Sequence, residues 1–318
     1  MEVEAGQVTA STVQVDRPDV IFILGMLPRT GTNHLADLFE LHQDVAVLKP
    51  VFEDHLVRFS PLLTAYVEEV SRHWSSEWEV PLDEPANLLA EIGGGVVRWI
   101  RAPFPGKTVV TKMPRVENVG RFFDLFPNCG LVILTRDGRS VVESGVRSFN
   151  WPYEFAFRMW NNAAEEVLRF REAHEDHPRL VILRYEDLID DEGSVMARLF
   201  AAFGLDPEGF SRAALEELPV RGSSLLADSG ALHWQPVARP EGFDPRQRWE
   251  SWDRHLHRRF NAIAGAAQQD LGYSVESTPG SDSVLERAVS LRGAASARWR
   301  EFKSSLRRMR RVVVGTWW

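Results

Sequence analysis

The chain has 318 residues, 44% hydrophobic and 26% charged, with 18 Pro and 22 Gly scattered along it, which excludes disordered, collagenous and low-complexity polymers. At roughly 150 residues per domain the length allows one large or two ordinary domains. The net charge of −8 divides unevenly: from Asp282 onward the chain carries +6, leaving −14 on the rest, and an acidic body excludes general nucleic-acid binding.

Residues 1–18 are polar and unpatterned and read as a mobile arm. The run Asp19–Gly25 (DVIFILG) is apolar, rich in branched side chains and ended by glycine, which predicts a buried parallel strand. A turn, Met26–Thr32, leads to a helix over Asn33–Leu41 with Leu35, Leu38, Phe39 and Leu41 at helical spacing. Further strands are predicted at Thr108–Thr111, Leu131–Thr135 and Leu180–Leu183. Long helices are predicted at Leu56–Trp74, Leu88–Arg101, Tyr153–Ala173, Val195–Phe203 and Arg254–Gln269. Strands alternating with helices imply an α/β fold with a mostly parallel sheet covered on both faces.

Residues 275–284 are rich in Ser, Pro and Gly and read as a linker after a domain spanning 19–274. Beyond it, in a helical tail over 285–318, Ala295, Trp299, Phe302, Leu306, Met309 and Val313 recur at steps of four and three, flanked by arginines. That pattern is a basic amphipathic helix, able to lie on an anionic membrane surface, zip to a partner helix or pack back on the acidic body. No apolar run reaches the length of a membrane span, the first 20 residues lack a signal-peptide pattern, and Cys129 is the only cysteine. A cytoplasmic protein is expected, with peripheral contact at the inner face of the membrane if the tail is used that way.

In open α/β sheets ligands bind beyond the carboxyl ends of strands, so the turn after the first strand is where chemistry is expected. Its sequence is LPRTGTNHL. Gly31 allows close backbone approach, Thr32 and Asn33 can cap the following helix, whose N–H groups attract an anion, and Arg29 adds a positive fork. The nucleoside triphosphate loop G-x-x-x-x-G-K-[ST] is not present. Gly25 and Gly31 are separated by five residues, and Thr32–Asn33 stands where Lys–Ser would be. What remains is an anion cradle that suits a shorter phosphate group and no metal.

Pro28-Arg29-Thr30-Gly31-Thr32-Asn33 resembles the P-[KR]-[ST]-G-T-[TS] loop of sulfotransferases that use 3′-phosphoadenosine 5′-phosphosulfate (PAPS), where it binds the 5′-phosphosulfate. A second match follows the strand LVILT: Arg136 and, eight residues on, Ser144 resemble the family's pair that holds the cofactor's 3′-phosphate. If the helix starts near Gly138, Ser140, Ser144 and Ser148 share one face while Val141, Val142 and Phe149 face the core. Lys112-Met113-Pro114 resembles the family's Lys-x-Pro, whose lysine neutralises charge at the bridging oxygen. Arg184-Tyr185-Glu186-Asp187-Leu188 resembles the segment whose tyrosine contacts adenine, and Arg221-Gly222-Ser223-Ser224 the late loop that closes over the cofactor. The stretch from Arg248-Trp249 through Leu271-Gly272-Tyr273 also has the family's look, and FFDLFPN is closest to the bacterial, carbohydrate and protein-tyrosine members. His34 stands where small-molecule members often place an adenine-stacking Trp.

The resemblance implies a P-loop-like three-layer sandwich over roughly residues 20–273, PAPS as co-substrate and a hydroxyl-bearing small molecule, carbohydrate or glycolipid as acceptor. It also implies a general base shortly after the first helix. Glu53 is the first choice within Lys49–His55, with His55 second and Asp54 third. Two other readings stay open: a P-loop kinase using ATP and magnesium, and a non-catalytic nucleotide-binding scaffold on the same body. His174 and His177 sit at a helix end without a third clear ligand, and His255 and His257 point to different helix faces, so no metal is expected.

Overall fold

The structure is a computed structural model that describes residues 16–48, 52–74, 85–215, 217–221, 223 and 236–275. Five parallel strands form its centre: β1 (Val20–Gly25), β2 (Val45–Val47), β3 (Thr108–Met113), β4 (Gly130–Thr135) and β5 (Leu180–Arg184). Their order across the sheet is β2-β3-β1-β4-β5, so β1 lies between β3 and β4, with Ile23 opposite Lys112 on one side and Val132 on the other. After β1 the chain builds outward on one side and later on the other. The crevice where these directions diverge, at the carboxyl ends of β1, β3 and β4, is the ligand position of open α/β sheets.

Alternation along each strand sends successive side chains to opposite faces. Phe22, Leu24, Val109, Met113, Leu131 and Ile133 enter one core with Phe157 and Trp160 of α6 (Tyr153–Ala173) and Phe260 of α9 (Arg254–Asp270). On the other face Ile21, Ile23, Val110, Val132 and Leu134 pack with Leu35, Leu38 and Phe39 of α1 (Thr32–Glu40). Met196, Leu199 and Phe200 of α8 (Glu192–Ala202) complete that layer. Fully burying such a side chain contributes about 1.5–3 kcal/mol. Two such layers hold the strand ends, and therefore the crevice, in fixed register.

The α/β sandwich and the four strands read from the sequence are present, and the described residues contain no helix long and apolar enough to cross a membrane. Several details differ. Helix α2 runs Ser60–Arg72 rather than from Leu56, because Pro61, which has no N–H to spend, sets the first turn. Helix α3 starts earlier than expected, at Pro85–Arg101. The three-residue β2 and the one-turn α4 (Phe122–Leu125) are too short to carry a periodic signal. Residues 16–18 do not belong to an arm: Arg17 Nε donates to Thr108 Oγ1 at 2.8 Å and the Pro18 carbonyl accepts from that hydroxyl at 2.9 Å. Residues 1–15, nearly all of the expected linker and the expected basic tail lie outside the described residues.

Candidate active site

The turn after β1 is built to hold its backbone open. Arg29 sits in the left-handed region at φ 84°, and so does Gly31 at φ 110°. Such a conformation costs a non-glycine residue on the order of 1–3 kcal/mol and persists only where the surroundings enforce it. The enforcement is visible: Thr30, fully buried, donates its hydroxyl to the Leu27 carbonyl at 2.6 Å and accepts from the Leu27 N–H at 3.2 Å. Thr30, expected to touch cofactor, therefore staples the loop instead. Gly31 occupies the N-cap of α1 with no side-chain cap, so neither Thr32 nor Asn33 caps the helix as expected. The first-turn N–H groups have no intrahelical acceptor and, with the positive dipole end, face the crevice as an anion seat.

A Cβ on Gly31 would lie 2.4 Å from the Tyr185 ring. Gly31→Ala is expected to destabilise the fold by about 1–3 kcal/mol and to displace Tyr185 from the cleft. A thermal melt equal to wild type would contradict this.

The second seat forms at the end of β4. Helix α5 (Gly138–Phe149) presents Ser144, whose hydroxyl accepts from Arg29 Nε at 2.9 Å and from Arg248 Nη1 at 3.0 Å. Arg136 donates through Nη1 to the Arg29 carbonyl at 2.8 Å and through Nη2 to the Pro245 carbonyl, and its guanidinium lies 4.2 Å over the Tyr185 ring. Its Nε is buried without a hydrogen-bond partner. Three guanidinium groups thus converge. Burial first, then repulsion by Arg136, pulls Arg29 down to about 10; burial, Arg136 and Arg29 pull Arg248 to about 9. Guanidinium keeps its proton at neutral pH, so these shifts express the cost of burying like charges together that the ligand-free fold bears, burial first and repulsion second. A polyanion would relieve it.

The sequence reading separated Arg29 from the Arg136–Ser144 pair, whereas the structure hands the Arg29 side chain to Ser144. Other members of the expected hydroxyl face do not join it. Ser140 donates to the Arg246 carbonyl, and Ser148 Oγ is buried without a partner. Phe149, expected in the core, is exposed on the cleft wall, 5.9 Å from the Arg29 guanidinium. It is the last residue of α5, with its ring 5.2 Å from that of Trp151. Arg248 was not among the expected site residues, yet it reaches Ser144 and Ser223. It stands in irregular chain before α9, and only the fold brings it within bonding distance of a residue 104 positions earlier.

At the β3 side, Lys112 is almost fully buried, which lowers its proton affinity, while Glu53, Asp37 and Asp54 counter that shift. Asp54 accepts from Thr111 Oγ1 at 2.7 Å and from the Leu56 N–H at 2.8 Å, with burial raising its pKa. Both its oxygens are engaged, so Asp54 anchors the segment. Glu53 lines the cleft, its side chain 39% exposed, and Oε2 lies 3.9 Å from His55 Nε2. His55 is not on the cleft wall.

Tyr185, His34, Arg221 and Ser223 also line the cleft, which is open to solvent. His34 Nε2 is 2.8 Å from Glu192 Oε1, which also accepts from Arg239 at 3.1 Å. That pairing holds the ring against α8. Arg221 Nε donates to Asp37 Oδ2 at 3.1 Å, whereas Ser223 accepts from Arg248 Nη2 at 3.3 Å and joins the second seat. Gly222 and Ser224 lie outside the described residues. The rings of His174 and His177 stack on Phe170 and Phe123.

Comparison with known proteins adds a family. A sequence profile described as the sulfotransferase family matches residues 18–209, more than half of the chain. No curated protein matches the sequence significantly. Among solved structures, a sulfotransferase domain from the curacin biosynthetic pathway is 18% identical, covering 82% of this chain and 100% of its own at a TM-score of 0.48. A sulfotransferase from Alicyclobacillus acidocaldarius is 14% identical, covering 81% and 95% at 0.45. Mouse sulfotransferase SULT7A1 complexed with PAP is 13% identical, covering 85% and 87% at 0.40.

Proposed function

Since this chain belongs to the sulfotransferase family, we propose that it moves the sulfuryl group of PAPS to a hydroxyl of a small-molecule, carbohydrate or glycolipid acceptor, releasing adenosine 3′,5′-bisphosphate (PAP). The observation that carries this reading is that Arg29 and Arg248 meet on Ser144 while Arg136 ties to the Arg29 carbonyl, two residues before the uncapped N-terminus of α1. A buried donor left over on Arg136 and repelling guanidiniums fit a nucleotide phosphorylated at two places.

In this reading Arg136, Arg248, Ser144 and Ser223 hold the 3′-phosphate, with Arg29 bridging toward the first loop. The N–H groups at Gly31 to Asn33 hold the 5′ end, and Tyr185 lies along the adenine. When bound, PAPS supplies a sulfur whose bond to the bridging oxygen breaks, with the electron pair going to phosphate, as the acceptor oxygen bonds to it. Lys112 and the α1 dipole stabilise charge growing on that phosphate. Glu53 orients the acceptor hydroxyl in line and takes its proton.

Incubation with labelled PAPS and a panel of sugars, glycolipids, phenols and peptides, without magnesium, is expected to label one class of acceptor and release PAP. Binding of PAP with no turnover on any class would favour a scaffold, and magnesium-dependent transfer from ATP would overturn the reading. Ligand-linked stability gives a second check. PAP at a hundredfold excess over its Kd should stabilise the fold by about 2.7 kcal/mol, and AMP at that concentration, lacking the 3′-phosphate, by far less. Equal melting shifts for the two nucleotides would deny the second seat a phosphate.

A further inference from the structure

Helix α2 carries two apolar stripes. Leu63 and Val67 face the core, as an amphipathic helix requires. Phe59, at its N-terminal flank, and Leu62 and Tyr66 recur at i, i+3 and i+7 along the adjoining, outward flank of the helix, 47%, 60% and 59% exposed. Neighbours at that spacing share one face, here about 10 Å long. The stripe begins at the site. Phe59 bonds back through its N–H to the His55 carbonyl at 3.1 Å, the two rings lie 6.0 Å apart, and His55 in turn lies 3.9 Å from Glu53. It continues to the half-buried Val70, four residues past Tyr66, beside the exposed Glu69–Arg72 ion pair. The same cleft also carries the exposed ring of Phe149.

We propose that the acceptor is an amphiphile whose hydroxyl reaches Glu53 while its apolar portion lies along Phe59, Leu62 and Tyr66. This rests on the reading of Glu53 as the group that meets the acceptor. An apolar surface that starts two side chains from Glu53, through His55 and Phe59, can hold what the cleft does not enclose.

The test compares methyl and octyl β-glucoside, below micelle formation, binding to the full chain with and without PAP. The octyl compound is expected to bind about tenfold tighter or more, the effect of withdrawing roughly two methylenes from water. The variant carrying Leu62→Ser and Tyr66→Ser, both at exposed positions, should lose that preference and keep its melting temperature and PAP affinity. Equal binding of the two glucosides to wild type, or a preference that survives in the variant, overturns the proposal. So does sedimentation showing a dimer that the same double variant dissociates, since the stripe would then belong to a second copy. Failure to bind PAP would instead strike the sulfotransferase reading, leaving the glucoside comparison readable on its own.

Discussion

Arg136→Ala is expected to weaken PAP binding by about two to three orders of magnitude. Removing one partner of a buried, hydrogen-bonded charge pair costs roughly 2–5 kcal/mol, and Arg136 would lose its contact to phosphate together with its hold on both flanking loops. Its Nη1 fixes the Arg29 carbonyl and its Nη2 the Pro245 carbonyl, so the variant also frees the strained turn at Arg29. The ligand-free protein should nonetheless melt within a few degrees of wild type, because the deletion lifts the repulsion that, after burial, depresses Arg29 and Arg248. Calorimetric titration with PAP beside a thermal melt separates the two effects. An unchanged Kd would remove Arg136 from the nucleotide site.

Glu53→Gln should lower kcat by about 10²–10⁴-fold, the range of a positioned general base, and leave PAP affinity nearly untouched. The split is expected because Glu53 stands on the β3 side of the cleft, away from the arginines that grip phosphate. Glu53→Asp should fall between, since a carboxylate withdrawn by one methylene still reaches through water. If Glu53→Gln turns over normally while His55→Gln does not, the proton goes to the imidazole, which lies 3.9 Å away.

Much of this site could be read without coordinates because its parts announce themselves locally. A buried strand, a glycine-containing turn and a helix stand within twenty residues, and Arg136 and Ser144 are separated by two helical turns. What could not be read depends on distant chain. Arg248 has no strand or helix to frame it and acquires meaning only from Ser144. Thr30 looks like a ligand in one dimension, yet its hydroxyl turns inward to Leu27 because a left-handed residue stands on either side of it. Phe149 satisfies a core periodicity, but as the last residue of its helix it turns to the cleft wall beside Arg29. Among the base candidates, sequence offered three adjacent groups, and the bonds of Asp54 to Thr111 and Leu56 leave Glu53 facing the cleft.

The bond from Arg136 to the Arg29 carbonyl joins the ends of two adjacent strands, which a parallel sheet keeps about 4.8 Å apart. It makes a caliper of the two loops. Occupancy at either jaw bears on the other, so adenosine 3′-phosphate and inorganic pyrophosphate, offered as separate fragments, should each sharpen the affinity for its companion by an equal factor, as reciprocal linkage demands.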